Sequence, residues 1–173
     1  MGNGMNWLRR NRLALLALLV LLPVTAWVMS SNAWSGYLAN QPTEPVPIAG
    51  GAVNYAGAII GPAQPTELDA RAHGLPEGTR LVRIVLPVRP AADARATCQT
   101  PELWDRGGER RWAERSDAIG AEPLDRVTAC TSDESPYELV LDYVVPDDAH
   151  ELSIAVLSPS ELPAFAEIPI SSS

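Results

Sequence analysis

The feature that most constrains this chain is an uninterrupted apolar run near its N-terminus. Residues 13–29 read LALLALLVLLPVTAWVM and contain no charged side chain. A helix that spans the hydrocarbon core of a bilayer needs about 20 apolar residues, with a lower limit near 17. The small residues at 30–33 extend the run, so the sequence predicts a transmembrane helix over residues 13–33. Pro23 lies inside this run, which membrane helices tolerate better than soluble helices do.

The residues that flank the apolar run predict its orientation. Arg9, Arg10 and Arg12 precede it, no acid occurs among the first dozen residues, and the next arginine is Arg71. The positive-inside rule therefore places residues 1–12 in the cytoplasm, as a leader, and the chain after the helix outside. Aromatic residues at both ends are typical of an interfacial belt; they are Trp7, Trp27, Trp34 and Tyr37.

A cleaved signal peptide is the alternative interpretation of the same segment. It also has a basic start, an apolar core and small residues before the cut, which Ser31, Asn32 and Ala33 would supply. A signal core typically has about 7–15 residues and is shorter than this run, which favours a retained anchor. The first interpretation predicts a single-pass protein of the cell membrane. The second predicts a secreted protein, cut near Ala33, with the same residues outside.

The charge of the remaining chain limits its partners. All 21 acidic residues and ten of the 13 basic residues follow the apolar run, and every basic residue is an arginine. An acidic exterior argues against nucleic acid, whose phosphates need a basic surface. It also argues against binding to anionic lipid. We therefore expect contact with the bilayer only through residues 13–33, and no nucleic acid partner.

Short segments with alternating apolar residues predict a mainly β domain after the helix. Residues 34–51 contain three prolines and three glycines, which predicts a stalk, or else the irregular start of the domain, ahead of a domain over residues 52–173. The predicted strands are 52–60, 80–89, 97–104, 109–115, 137–145, 151–157 and 164–170. Such strands, with turns between them and little helical periodicity, indicate an antiparallel β-sandwich.

Two of these segments show the clearest alternation, and each predicts one core-facing side. The apolar positions expected in the core are Val82, Ile84, Leu86 and Val88 in the first segment and Tyr137, Leu139, Leu141, Tyr143 and Val145 in the second. Proline cannot donate a ladder hydrogen bond, so Pro87 is expected near an end of its strand or at an edge of the sheet.

Residues 97–115 predict a β-hairpin that carries a candidate contact surface. Gly107 and Gly108 separate two candidate strands, and glycines permit the positive φ angles that such turns need. Arginine forks and aromatic rings here could bind an anionic ligand or a partner protein. The members of this hairpin patch are Trp104, Arg106, Arg110, Arg111, Trp112 and Arg115. The favoured alternative is ion pairing across the hairpin with Glu102, Asp105, Glu109 and Glu114.

The only two cysteines, Cys98 and Cys130, both lie on the exterior side of the predicted helix. An oxidising compartment favours a disulfide between them. The bond would close a loop of about 33 residues and contribute roughly 3–4 kcal/mol to stability. A redox-active or nucleophilic thiol is the alternative, but neither a Cys-x-x-Cys motif nor a neighbouring histidine supports it.

No catalytic or cofactor motif stands out, so we expect neither an enzyme nor a bound cofactor or metal. Zinc sites need about four ligands in close pairs. The candidate zinc ligands are scattered singly, at His73, Cys98, Cys130 and His150. The acids that could hold calcium, at residues 133–134 and 147–151, are typical of solvated turns. The Gly-x-Ser-x-Gly motif of one large class of serine hydrolases does not occur.

Several segments of the exterior share features with a known group of domains. They are Cys98 with Leu103, the 107–112 hairpin, Cys130, and the segments 137–146 and 152–156. Together they cover about residues 52–170, and this part resembles the membrane-anchored immunoglobulin-like β-sandwich domains of Gram-positive and actinobacterial envelopes. The resemblance implies a fold and a place in the cell envelope, and it assigns no functional residue.

Domains of that group are generally taken as binding or accessory modules. The resemblance therefore implies a membrane-tethered interaction module whose partner is an envelope or membrane protein, such as a transporter or a secretion component. Two alternatives stay open at this point. One is a carboxylate-based envelope enzyme or solute-binding domain, and the other is a structural surface spacer or adhesin.

Overall fold

The computed structural model describes residues 3–92, 96–120, 126–132 and 134–170. The chain divides into two units, residues 1–41 and residues 42–173. The first unit is helical, and the second is built from β-strands in two sheets. The predicted combination of an N-terminal apolar helix and a mainly β domain is therefore confirmed.

A single helix, α1 (Asn3–Ala39), accounts for the first unit. It is longer than the predicted helix at both ends, and neither extension, residues 3–12 or residues 34–39, contains a proline. It ends shortly before Pro42, and the Asn40 side chain donates a hydrogen bond to the carbonyl of Gly36 at 2.7 Å. Pro23 lies inside α1 without ending it. The Thr25 hydroxyl donates to the Leu21 carbonyl in this turn, at 2.8 Å.

The apolar side chains of α1 are exposed. Leu13 is 79% exposed and Trp27 is 76% exposed. An 18-residue window within residues 10–37 has a mean hydropathy of 2.4, so this helix is long and apolar enough to cross a membrane, a property that signal sequences share. A helix that is apolar on all sides is stable inside a protein core or a bilayer.

The second unit contains short and long strands joined by turns. The described strands are β1 (Glu44–Pro45), β2 (Val53–Tyr55), β3 (Ala58–Ile60), β4 (Gln64–Leu68), β5 (Thr79–Pro90), β6 (Glu102–Asp105), β7 (Arg110–Trp112), β8 (Tyr137–Pro146), β9 (Leu152–Val156) and β10 (Ala164–Pro169). In the described part of the chain, 3-10 turns also lie at Arg71–His73 and Ser116–Ile119. The second turn lies between β7 and β8, and residues 121–125, which follow it, lie outside the described part.

The strands form two sheets. The first sheet has the order β1-β10-β9-β6-β7. The second has the order β2-β3-β5-β4, with β8 paired to β5. Among the described pairs only β1 and β10 run parallel, which differs from the predicted all-antiparallel arrangement.

The segment predicted as a stalk, residues 34–51, is divided between the two units. Residues 34–39 belong to α1. Strand β1 belongs to the second unit, because it pairs with β10 and the Val46 N–H donates to the Phe165 carbonyl at 2.8 Å. Prolines are tolerated here because β1 is a two-residue edge strand. The β unit therefore begins near Pro42, ahead of the predicted residue 52.

The two sheets share one hydrophobic core. The predicted inward face of β5 is confirmed, because Val82 is 6% exposed and Ile84, Leu86 and Val88 are fully buried. The predicted face of β8 is confirmed too, with Tyr137 at its margin and the other four residues fully buried. The first sheet contributes Leu103, Ile154, Val156, Ala166 and Ile168 to the same core.

One local prediction was wrong and another was only partly met, and each outcome has a physical reason. The predicted strand 52–60 is a hairpin of β2 and β3, because Ala56 and Gly57 both have positive φ, at 50° and 77°, and reverse the chain. Pro87 lies three residues before the end of β5, but β5 is a central strand and not an edge of the sheet. Its carbonyl accepts a hydrogen bond from the Gly61 N–H. The N–H and C=O of one residue in a strand point to the same side, so the position of the missing N–H faces the gap between β3 and β4.

Candidate functional site

The two faces of the first sheet divide the hairpin patch. The register of β6 and β7 pairs Trp104 with Arg111 and Leu103 with Trp112. Cross-strand partners share a face and successive residues alternate, so Trp104 and Arg111 lie on one face and Trp112 lies on the other. Arg115 follows β7 and pairs with Asp117. The six residues of the hairpin patch therefore do not form one contact surface.

Trp104 has a structural role on its face of the hairpin. It is 2% exposed, and its indole N–H donates to Glu102 Oε2 at 2.9 Å. The Arg111 guanidinium carbon lies 4.3 Å from the Trp104 ring centroid, and the Phe165 ring lies 5.2 Å away. Gly108 passes so close that a Cβ there would lie 3.1 Å from Trp104 Cε3. A ring packed this tightly is not available to a partner.

Arg110 joins the hairpin to the turn after β8. Its Nε donates to Asp105 Oδ2 at 2.9 Å, and its Nη1 donates to Asp148 Oδ1 at 3.0 Å. The Asp105–Arg110 pair is one of the cross-strand ion pairs that the favoured alternative predicted. Burial opposes the charge on Asp105, but the hydrogen bond and the charge of Arg110 outweigh it and hold the pKa of Asp105 below its ordinary value.

This lowered pKa predicts a pH-dependent contribution to stability. A carboxyl group with a lower pKa in the folded state stabilises fully above its unfolded pKa, about 4. The contribution is lost as pH falls through the folded pKa. We expect Asp105→Asn to destabilise the domain at pH 6, and we expect the difference from wild type to shrink as pH falls below about 4. Urea unfolding of the detergent-solubilised chain measures it, with exposed Glu109→Gln as the control; a difference independent of pH contradicts this account.

A second buried carboxylate lies on the outward face of the second sheet. Asp142 is fully buried, although its strand position points away from the core. Arg83 Nε donates to Asp142 Oδ1 at 2.7 Å, and Arg126 Nη1 donates to Asp142 Oδ2. The hydrogen bond to Asp142 raises the pKa of Arg83. The Arg115 N–H also donates to the Asp142 carbonyl at 2.7 Å, so these contacts hold both described ends of the 115–126 segment against β8.

The predicted disulfide between Cys98 and Cys130 is present in the structure. The two Cα atoms are 4.9 Å apart, and the Cys130 N–H donates to Cys98 Sγ at 3.2 Å. Both cysteines are half-buried against the shared core. The bond joins the segment before β6 of the first sheet to the segment before β8 of the second sheet, so it ties the two sheets together.

An open cleft lies between the two sheets at the end where β8 turns into β9. Its volume is about 470 Å³, and its apolar wall is formed by Pro65, Val82, Leu152 and Ile170. We call it the Arg80 cleft, because Arg80 lines it beside Val82 on the same face of β5. Sequence reasoning missed this site, since its residues come from β4, β5, β9, the 149–151 turn and the segment after β10.

Charged and polar groups line the same cleft. Glu67 lies opposite Val82 in the β4–β5 ladder and therefore points to the core-facing side of the sheet. Arg80 Nη2 donates to the Ala149 carbonyl, whereas Arg80 Nε is buried and has no hydrogen-bond partner among the described residues. His150 and Glu151 lie at the 149–151 turn and complete the lining.

His150 links the cleft to the hairpin. Its Nε2 is 2.9 Å from Arg106 Nη2, and its Nδ1 is 2.7 Å from the Asp148 carbonyl oxygen. A guanidinium only donates and a carbonyl only accepts, so these partners select the neutral tautomer with hydrogen on Nδ1. Arg106 of the hairpin patch therefore orients a residue that lines the cleft.

Metal ligands do not converge in the described part of the chain, where no three His, Cys, Asp or Glu side chains could hold an ion. Asp133, one of the calcium candidates, lies outside that part. The exposed apolar helix and the Arg80 cleft are thus the two features that bear on function. No protein-family model, curated protein or solved structure matches this chain.

Proposed function

We propose that this protein is a membrane-tethered, extracytoplasmic accessory module of the bacterial cell envelope, with α1 as its retained anchor. The observation that carries the proposal is the exposure of the apolar side chains along α1. Water does not stabilise a helix that is apolar on all sides, whereas a bilayer does. The uninterrupted apolar run, residues 13–29, is also longer than the apolar core of a typical signal peptide, about 7–15 residues.

Charge and redox chemistry support the proposed orientation. Three arginines precede the apolar run, and all 21 acids follow it. The Cys98–Cys130 disulfide fits an oxidising compartment, which an extracytoplasmic location provides. These two observations are independent of each other, and both support the proposal that the β unit lies outside the cytoplasm.

We further propose that the β unit is an immunoglobulin-like sandwich. Support comes from two sheets with one shared core and from a disulfide that links segments next to opposite sheets. Tyr55 adds a polar tie between the sheets. Its hydroxyl donates to the Ala164 carbonyl at 3.0 Å and accepts from the Ser158 N–H at 2.9 Å.

The surface of the β unit suggests the kind of partner. Among its described residues, the large apolar side chains that are exposed are Ile48 at 37% and Ile59 at 49%. Obligate interfaces are larger and more hydrophobic than such a surface allows. We therefore propose a polar, transient contact with another envelope protein, in addition to any contact that α1 makes inside the membrane.

Photo-crosslinking in native membranes tests this function. A photoreactive residue at exposed Ile59 probes the β unit, and one at Trp27 probes α1. We expect discrete adducts with an envelope protein that recur between preparations. The matched control replaces the apolar residues of 13–33 by leucines, which preserves the anchor and removes any sequence-specific contact of the helix. Recovery of a lone monomer from both probe positions would contradict the proposal.

A solute-binding domain is the second candidate function, and one observation favours it. The Arg80 cleft combines an apolar wall with a few polar groups, which is typical of small-molecule sites. The two functions are compatible, because a tethered module can present a ligand to a partner in the same membrane.

A further inference from the structure

We infer that the Arg80 cleft binds a small zwitterion, that is, a ligand whose carboxylate and ammonium groups are joined to an apolar part. This is the chemistry of a free α-amino acid and of a short peptide. The inference deepens the solute-binding candidate and does not depend on the membrane anchor. It rests on three properties of the cleft: a guanidinium whose hydrogen-bond donors are not all paired, carboxylates that face the cleft, and an apolar wall.

Arg80 is the proposed carboxylate partner. Its Nη2 is engaged by the Ala149 carbonyl, and its buried Nε has no partner among the described residues. None of the described acids forms an ion pair with it. Leaving a charged donor unpaired in a buried position is unfavourable, and a planar guanidinium matches a carboxylate through paired hydrogen bonds. Because Nε itself has no accessible surface, a ligand carboxylate would pair with the part of the Arg80 guanidinium that lines the cleft.

Glu67 is the proposed ammonium partner. It lies opposite Val82 on the core-facing side of the sheet, and Arg80 is the next residue of β5 on that face. Glu67 and Arg80 therefore face the same cleft as diagonal neighbours, yet they do not form an ion pair with each other. Glu151 adds a second carboxylate to the lining. The cleft thus offers separate positions for a negative and a positive ligand group.

The cleft is lined by side chains of both charges, and this combination determines which class of ligand fits. A simple anion would face the repulsion of Glu67 and Glu151, and a simple cation would face that of Arg80. A zwitterion satisfies both sides at once, while Val82, Leu152 and Ile170 cover its apolar part. The volume of about 470 Å³ lies within the range of small-ligand pockets, about 300–1,000 Å³.

The competing explanation is structural. An inward-pointing charge such as Glu67 protects an edge strand from pairing with another chain. Arg80 would then only tie the turn after β8 to β5 through the Ala149 carbonyl. This explanation predicts that both residues affect stability or aggregation and that neither affects binding of a small molecule.

Isothermal titration of the full, disulfide-bonded chain in detergent micelles separates the two explanations. The probes are L-leucine, which carries both charges, N-acetyl-leucine, which lacks the ammonium, and leucinamide, which lacks the carboxylate. Leucyl-leucine is the peptide probe. We expect saturable binding of L-leucine or leucyl-leucine, and the tighter of the two identifies the source of the ligand. Each single-charge analogue is expected to bind about tenfold more weakly or worse.

Three variants complete the test. Arg80→Gln and Glu67→Gln should each weaken binding of the zwitterion about tenfold or more. Arg89→Gln, at an exposed position of the same strand, should leave it unchanged. Because Glu67 is exposed, its variant keeps the test valid even where Arg80→Gln fails to fold.

Three outcomes would overturn the inference. The first is no saturable binding of either zwitterion up to about 10 mM, the upper end of weak affinity. The second is binding that survives both substitutions, and the third is equal affinity for N-acetyl-leucine and L-leucine. None of them bears on the anchor or on the crosslinked partner, so the failure of this inference and the failure of the tethered module are distinguishable.

Discussion

Replacing Asp142 by alanine is expected to lower the free energy of unfolding by about 3 kcal/mol or more. The Asp142 side chain is fully buried, whereas the side chains of its partners Arg83 and Arg126 are 28% and 20% exposed. Removing the carboxylate leaves two largely buried guanidinium groups without their acceptor, and an uncompensated buried charge is strongly destabilising. The released 115–126 segment would also leave the edge of β8 uncovered. Denaturant unfolding of the detergent-solubilised chain measures the change.

The matched control is Asp117→Ala. Asp117 also pairs with an arginine, but the side chains of Arg115 and Asp117 are 55% and 70% exposed. An exposed ion pair contributes at most about 1 kcal/mol. Equal stability of the Asp142 and Asp117 variants would show that the buried cluster does not hold the 115–126 segment in place.

Replacing both Cys98 and Cys130 by serine is expected to cost about 3–4 kcal/mol, because the disulfide limits the conformations of the unfolded chain. The loop between them spans 32 positions of sequence and connects the two sheets. Domains of this size have a total stability of about 5–15 kcal/mol, so the loss is a large fraction of the whole. Unfolding in denaturant, with and without reductant, measures it.

Reductant provides the internal control for the disulfide. It should lower the stability of the wild type by about the same 3–4 kcal/mol and leave the serine variant unchanged. Intact-mass measurement after alkylation should find no reactive thiol in the wild type before reduction, since the cysteines are paired. A serine variant as stable as the oxidised wild type would contradict a stabilising role.

The strands that could be predicted from the sequence are those in which apolar and polar residues alternate with a period of two. In β5 and β8 one face is uniformly apolar, so alternation alone identifies the core residues from Val82 to Val88 and from Leu139 to Val145. The hairpin of β6 and β7 is predictable as well, because Gly107 and Gly108 supply the positive φ angles of its turn. Local chemistry determines these elements, and the tertiary structure agrees with it.

The elements that sequence reasoning missed depend on weak local signals. The turn at Ala56 and Gly57 contains none of the asparagine or aspartate that usually marks such a hairpin. Strand β4 reads QPTEL, contains a proline and alternates poorly, and it exists because it pairs with β5. Pro87 is tolerated in a central strand only because its missing N–H faces a gap, and tertiary structure alone reveals that gap.

The candidate sites, like the strands, include some that local sequence predicts and some that only the tertiary structure reveals. The hairpin patch was predicted from nearness in sequence, without the register that sends Trp104 and Trp112 to opposite faces. The disulfide could be predicted from the sequence because the chain has only two cysteines and both lie on the side of the helix predicted to be oxidising. The Arg80 cleft brings Glu67, Arg80 and His150 together across more than 80 positions of sequence, and no local pattern connects them. Charged residues at inward-facing positions of β4 and β5 were the one signal available.

The central claim is that α1 is a retained anchor that holds the β unit outside the cytoplasm, and labelling with a membrane-impermeant maleimide tests it most directly. The native cysteines are paired and do not react, so single cysteines can be introduced at Gly4 in α1 and at exposed Glu77 in the β unit. We expect Glu77→Cys to label in intact cells and Gly4→Cys to label only after permeabilisation, both in the full-length membrane-bound chain. Protection of Glu77→Cys in intact cells would contradict the orientation, and loss of Gly4→Cys from the mature protein would contradict the anchor.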